Sequence, residues 1–175
     1  MSEFNGKDKL RIAGTVNDSI VDGEGYRYAI FTQGCPHACP GCHNPQTHNF
    51  RGGRLVKLEE LLQEALLNPL LSGVTFSGGE PFCQAAALAE LGREFHRHQL
   101  DIWCYTGYTY EQLRDNPDPD IQELLLVVDV LVDGPFVEEQ RDLTLSFRGS
   151  SNQRLIDMPQ TRARGQVVLY EQDEY

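Results

Sequence analysis

Tyr28-Ala29-Ile30-Phe31-Thr32-Gln33-Gly34-Cys35-Pro36-His37-Ala38-Cys39-Pro40-Gly41-Cys42 is a β-forming run that breaks at a glycine into three closely spaced cysteines. Tyr28 to Thr32 is rich in β-branched and aromatic residues, so a short strand is predicted there. The same plan recurs downstream. Gly73-Val74-Thr75-Phe76 is a second strand, opening into Ser77-Gly78-Gly79-Glu80-Pro81. Ile102 to Tyr105 is a third, followed by Thr106-Gly107. Val127 to Val132 is almost continuously apolar, as a buried parallel strand is, and Asp133-Gly134-Pro135 stops it.

Helices are predicted between these strands. Leu58, Leu61, Leu62, Ala65 and Leu66 recur at helical spacing within Lys57 to Leu67, and Asn68-Pro69 ends that run. Gln84 to Arg97 carries Leu88, Leu91 and Phe95 on one side. Tyr110 to Arg114 and Ile121 to Leu126 are short helices around a proline-rich turn. A βα repeat builds a parallel sheet with helical covers. Four or five strands are too few to close an eight-stranded barrel. The expectation is therefore an α/β fold, a partial, open (β/α) barrel forming one domain over residues 1–175. Residues 1–10 read as a loose leader and 171–175 as a loose acidic tail. Leu155-Ile156 and Val167 to Tyr170 are candidate late strands. In parallel sheets ligands bind beyond the C-terminal strand ends. The cysteine loop and the three glycine-bearing loops after it would then converge on one rim.

Composition narrows the function. The chain has 15 Lys and Arg against 26 Asp and Glu, a formal charge of −11. That argues against broad electrostatic attraction to nucleic acid or an anionic membrane. No apolar run approaches the roughly 20 residues of a membrane span. The polar start lacks an apolar signal core, so a cytoplasmic address is expected. Of the five cysteines, three fall in the loop at 35–42. In a reducing compartment such clustering points to metal binding or redox chemistry.

The spacing C-x3-C-x2-C is compact enough to bring three thiolates to one centre. Three cysteines leave one iron of a 4Fe–4S cube without a protein ligand, and an open coordination site is what a catalytic metal needs. Two other readings stand beside this. His37, His43 or His48 could complete a Cys3His zinc site. Cys83 or Cys104 could supply a fourth thiolate and close the cluster into an electron carrier. His96 and His98, near a helix C-terminus, are explained by capping and the helix dipole.

Cys35-x3-Cys39-x2-Cys42 after a first strand resembles the signature of the radical S-adenosylmethionine (SAM) superfamily, and Gly78-Gly79-Glu80 resembles its GGE motif. Asp22-Gly23-Glu24-Gly25-Tyr26-Arg27 resembles the D-G-P-G-x-R element of enzymes that activate glycyl-radical proteins, with Glu24 in place of proline. Closer still is the family that activates anaerobic ribonucleoside-triphosphate reductase. Cys39-Pro40-Gly41-Cys42-His43-Asn44, Trp103 to Tyr108, Val130 to Phe136 and Arg148 to Gln153 resemble it, in order, from about Ile20 to Arg154. Many radical SAM enzymes carry an aromatic residue just before the third cysteine; here it is Gly41, as in the reductase activators. The tail beyond Asp157 has no clear counterpart.

The resemblance implies a mechanism and a set of roles. Cys35, Cys39 and Cys42 would hold a 4Fe–4S cluster whose open iron binds SAM. Gly41, Cys42 and His43 would lie near the adenine edge. Gly78 and Gly79 would let the backbone approach the methionyl part, and Glu80 would accept a hydrogen bond from its ammonium. A strand-to-helix turn with Glu80 stabilising the helix N-terminus explains the same trio without SAM. Thr106 and Asp133 would line the ribose side or cap strand ends. Arg148 and Asn152 would meet a partner's radical loop or pin the last segment. The implied partners are the large subunit of the anaerobic reductase, a glycine of which becomes the stored radical, and a flavodoxin-type electron donor. A formate-lyase-type activase, another small radical SAM enzyme such as a deazapurine synthase, or a non-catalytic iron–sulfur or zinc module are the competing readings.

Overall fold

The computed structural model describes residues 8–172. In chain order the strands are β1 (Lys9–Ser19), β2 (Arg27–Thr32), β3 (Arg54–Lys57), β4 (Gly73–Gly78), β5 (Asp101–Tyr105), β6 (Val130–Asp133) and β7 (Arg154–Asp157). The helices are α1 (Leu58–Leu66), α2 (Ala85–Arg97), α3 (Tyr110–Arg114), α4 (Pro119–Val127) and α5 (Met158–Arg164). All seven strands form one open sheet in the order β3-β1-β2-β4-β5-β6-β7. β2, β4, β5 and β6 run parallel through its centre. β1, β3 and β7 pair antiparallel at its flanks. The barrel is not closed, as the strand count predicts.

Period-two alternation sorts the side chains onto two faces. Tyr28, Ile30, Val74, Phe76, Ile102, Cys104 and Leu131 join Leu61, Leu88, Leu91, Phe95 and Leu124 from the helices in the main core. Each fully buried leucine or phenylalanine is worth roughly 1.5–3 kcal/mol. Leu88, Leu91 and Phe95 are all fully buried on α2. Together they outweigh the ~1 kcal/mol that Gly92 costs inside a helix. Gly92 is also needed for close packing, because a Cβ there would stand 2.9 Å from Val127 of α4. The opposite face holds a smaller cluster: Trp103, Val130, Val132 and Leu155, packed by Tyr105, Phe147 and Tyr170.

The sheet is larger than expected. β1 and β3 escape sequence reading because only Leu10, Ile12 and Val56 on them are buried apolar residues. The loose leader expected over 1–10 is therefore corrected at Lys9 and Leu10: both lie in β1, and Leu10 is fully buried. Residues 1–7 of that leader lie outside the described residues, as do 173–175 of the tail. Val127 belongs to α4 and not to the following strand, because the helical bond from Val128 N to Leu124 O outlasts the apolar change of pattern. Val167 to Tyr170 makes only an isolated bridge, Ile156 with Leu169, flanked by bonds from Asp157 N to Val168 O and from Tyr170 N to Leu155 O. α5 was not anticipated, although Asp157 caps its start and Gly165, at φ 68°, its end. Among the described residues no helix is long and apolar enough to cross a membrane.

Candidate metal centre

The C-terminal ends of the parallel strands do meet on one rim. Beyond β2, the cysteine loop is held from two sides. Gly34 N donates to Thr47 O (2.7 Å) and Cys35 N to His48 O (3.2 Å), while the Gln33 amide donates to Gln46 O and Asn49 O. From β4, Gly79 N donates to Thr32 O and Glu80 N to Gly34 O, both at 2.8 Å. Gly34 takes φ 109°, and a Cβ there would meet the Phe50 ring at 2.5 Å. A glycine is required at that crossing. A turn from Cys42 N to Cys39 O (3.2 Å) folds the last two cysteines together.

Cys35, Cys39 and Cys42 are half-buried and free, and all three line one cavity of about 580 Å³. Gly78, Gly79, Thr106 and Gly107 form another part of its wall. Polar groups surround one sulfur here: the Asn44 backbone N–H points to Cys42 Sγ at 3.5 Å, and His48 Nε2 lies 3.3 Å from it. Such outer contacts stabilise a thiolate ligand and tune its metal. Burial pushes the Cys35 thiol up, Glu80 and the other two cysteines add to the rise, and the His37 backbone N–H opposes it. A bound cation reverses that balance, since a coordinating thiol is deprotonated outright. Among the described residues no three His, Cys, Asp or Glu side chains converge as a single bound ion requires.

His43 also lines the cavity, and its ring stands edge-on to Phe136 at 5.1 Å. Gly41, at φ 74°, lies under the same ring: a Cβ there would be 3.3 Å from Phe136. Glu80 is absent from the cavity wall and fully buried. Its Oε1 accepts from His37 Nε2 (2.6 Å), Thr106 Oγ1 (2.8 Å) and Gly107 N (2.8 Å). Its Oε2 accepts from Phe82 N (3.0 Å), capping the short 3-10 helix Pro81–Gln84. Asp133 is equally occupied, by Tyr110 N and by the Arg154 guanidinium. Arg148 lines the cavity and donates to Gln153 O (3.2 Å), with its Nε buried and unpartnered. Asn152 donates to Pro135 O (2.8 Å).

The other cysteines stand apart. Cys83 is exposed and lines a different pocket beside Asp118 and Asp120. Cys104 is fully buried in the helix-side core, where burial pushes its thiol well above the ordinary range. In the Asp22 to Arg27 element, Arg27 is a structural cation. It donates to Thr75 Oγ1 (2.7 Å), Val74 O (2.9 Å) and Glu24 O (2.9 Å), and stacks on Trp103 at 5.4 Å. Asp22 of the same element reaches the cavity wall. Sequence reading missed the parts played by Phe136, Phe147 and His48. Phe136 ends a motif quoted above, but nothing in its spacing ties it to Gly41.

Residues 21–156 match the family described as 4Fe-4S single cluster domain, a stretch that contains the cysteine loop and every parallel strand. The class is thus an iron–sulfur domain built around one 4Fe–4S cluster. An anaerobic ribonucleoside-triphosphate reductase-activating protein of Haemophilus influenzae is 35% identical, over 77% of this chain and 89% of the relative. Its namesakes in Vibrio cholerae (37%, 77% and 89%) and phage T4 (33%, 78% and 86%) are as similar. The chain belongs to the family of anaerobic ribonucleoside-triphosphate reductase-activating proteins. A solved structure, QueE from Escherichia coli, overlaps 58% of this chain and 54% of its own at TM-score 0.45 and 18% identity.

Proposed function

We propose that this chain is a radical SAM activase that installs a glycyl radical in the large subunit of an anaerobic ribonucleoside-triphosphate reductase. One observation carries the reading. Three half-buried thiols open on a cavity whose other wall is the Gly78-Gly79 loop, in a chain of the reductase-activating family. A 4Fe–4S cluster held by Cys35, Cys39 and Cys42 would supply the electron for reductive cleavage of SAM, the chemistry needed to remove hydrogen from the glycine Cα.

The protein's own part is holding, orienting and shielding. Cys35, Cys39 and Cys42 are the cluster ligands, and His48 and Asn44 N support the Cys42 sulfur. Gly78 and Gly79 present bare backbone to the methionyl end of SAM. Gly41, Cys42 and His43, the last edge-on to the Phe136 ring, would hold the adenine side of SAM. The electron comes from a reduced donor of the flavodoxin type.

The deciding experiment is anaerobic electron paramagnetic resonance on the reconstituted protein mixed with SAM, a strong reductant and the anaerobic reductase. A glycyl-radical doublet on the reductase, lost with Cys39→Ala, is the expected result. Production of 5′-deoxyadenosine without a doublet would move the reading to a different substrate; neither signal from a loaded cluster would favour an electron carrier. Cys83→Ser and Cys104→Ala should each keep the iron that Cys39→Ala loses. Iron loss in either, as complete as in Cys39→Ala, would mean a fourth ligand and a closed cluster.

A further inference from the structure

Glu80 is the GGE carboxylate, to which the resemblance gives the SAM ammonium. The structure assigns it other work: we propose that Glu80, acting through His37, is a positioning residue that sets the cysteine loop, and that it does not contact SAM. The inference rests on the cysteine loop being the cluster cradle.

A carboxylate offers about four acceptor positions. Three donors converge on Oε1, His37 Nε2, Thr106 Oγ1 and Gly107 N at 2.6 to 2.8 Å, and Phe82 N donates to Oε2 at 3.0 Å. The side chain has no exposed surface and takes no part in the cavity wall. The acceptor position left on Oε2 is closed off from the cavity, so an ammonium would reach it only by opening the packing that buries Glu80.

What the carboxylate does reach is the interval between the first two cysteines. His37 lies in the three-residue spacer from Cys35 to Cys39. A carboxylate can only accept, so His37 Nε2–H donates to it, a charge-assisted bond. The ring is held on its other sides as well. Tyr108 meets it edge-on at 4.5 Å, and Gly107 lies so close that a Cβ would stand 2.5 Å from His37 Cδ2. His37 itself stands two residues after Cys35 and two before Cys39. One residue of the spacer between the first two cysteines is thus tied to a buried carboxylate shared by the loops after β4 and β5. The next residue, Ala38, takes φ 50°, a conformation a non-glycine residue keeps only when its surroundings over-determine it. The grip on His37 is that determination.

The test compares His37→Ala, His37→Gln and Glu80→Gln with the natural protein, reading iron and sulfide per chain after anaerobic reconstitution, the resonance of the reduced cluster, and SAM affinity by equilibrium dialysis. His37 is partly exposed, so its variants should fold, which far-ultraviolet circular dichroism checks. His37→Ala should lose at least half of its iron or show a shifted, broadened resonance. His37→Gln keeps an N–H at similar reach and should recover most of the loading. Glu80→Gln should match His37→Ala in iron, and its remaining loaded fraction should bind SAM within about threefold of the natural affinity. Full loading and an unchanged resonance in His37→Ala would overturn the proposal, as would a Gln variant no better than Ala. So would full iron in Glu80→Gln with SAM affinity down tenfold or more, since that marks a direct SAM contact. If Glu80→Gln does not fold, the two His37 variants decide. A natural protein that takes up no cluster or binds no SAM would instead sink the activase reading.

Discussion

His96 closes α2 with its Nε2 2.8 Å from Asp129 Oδ2, and the same oxygen accepts from Ile102 N. The Asp129 hydrogen bond raises the His96 pKa above its ordinary value, against the opposing effect of burial. A raised folded-state value means stabilisation that is complete below the unfolded pKa, near 6.5, and fades as pH rises through the folded one. His96→Ala should therefore lower Tm more at about pH 6 than at about pH 8.5. An equal loss at both would show that the contact is not titrating. Legibility differs sharply between residues. The three loop cysteines declare themselves, because their grouping is local and written as spacing. Glu80 does not: three of its four donors come from residues 37, 106 and 107, which only the folded sheet brings to it. Arg27 is similar. Its motif marks it, but its bonds to Thr75, Val74 and Asp101 depend on the pairing of β2, β4 and β5.

Elements with a strong period were legible, and those without one were not. α1 and α2 follow from leucines at helical spacing, and β4 and β5 from short apolar runs bounded by glycine or aspartate. β1 is polar over most of its length and irregular in register between Ile12 and Gly14, so no alternation survives to be read. At the end of β4, Gly78 pairs with Thr32 at φ 91°, and a Cβ there would stand 2.5 Å from Thr32 N. Gly78→Ala should thus push β2 from β4 and cost about 1–3 kcal/mol, a fall of several degrees in Tm. Gly14→Ala in β1 is the control. Nothing lies within 4 Å of its Cβ position, so its change should stay within about 0.5 kcal/mol. Equal effects from the two, measured by thermal unfolding, would remove the strand-crossing explanation.

Across the whole molecule the two faces of the sheet are covered differently, one by helices and the other by loops and the C-terminal segment. Trp103, the one tryptophan, is 2% exposed on the loop-covered face. Phe147 and Tyr170 each meet it edge-on at 5.3 Å, and the Tyr170 hydroxyl donates to Glu24 at 2.6 Å. The departure at Glu24 and the unmatched tail are therefore joined in space, which neither motif discloses alone. Tyr170→Ala should shift Trp103 emission to the red and increase its quenching by acrylamide, while far-ultraviolet circular dichroism stays constant. Unchanged emission would mean that the tail does not shield the ring. The cavity, finally, is assembled from loops far apart along the chain, and its thiols come from an early one. A ribosome therefore delivers Cys35, Cys39 and Cys42 long before it delivers Gly107 and Phe147. During synthesis the cysteines stand bare, open to oxidation or early metal capture, and the walls close only once the loops carrying Gly107 and Phe147 have been made. Ribosome-arrested chains ending before Thr106 should accordingly be alkylated at these three positions faster than the completed protein.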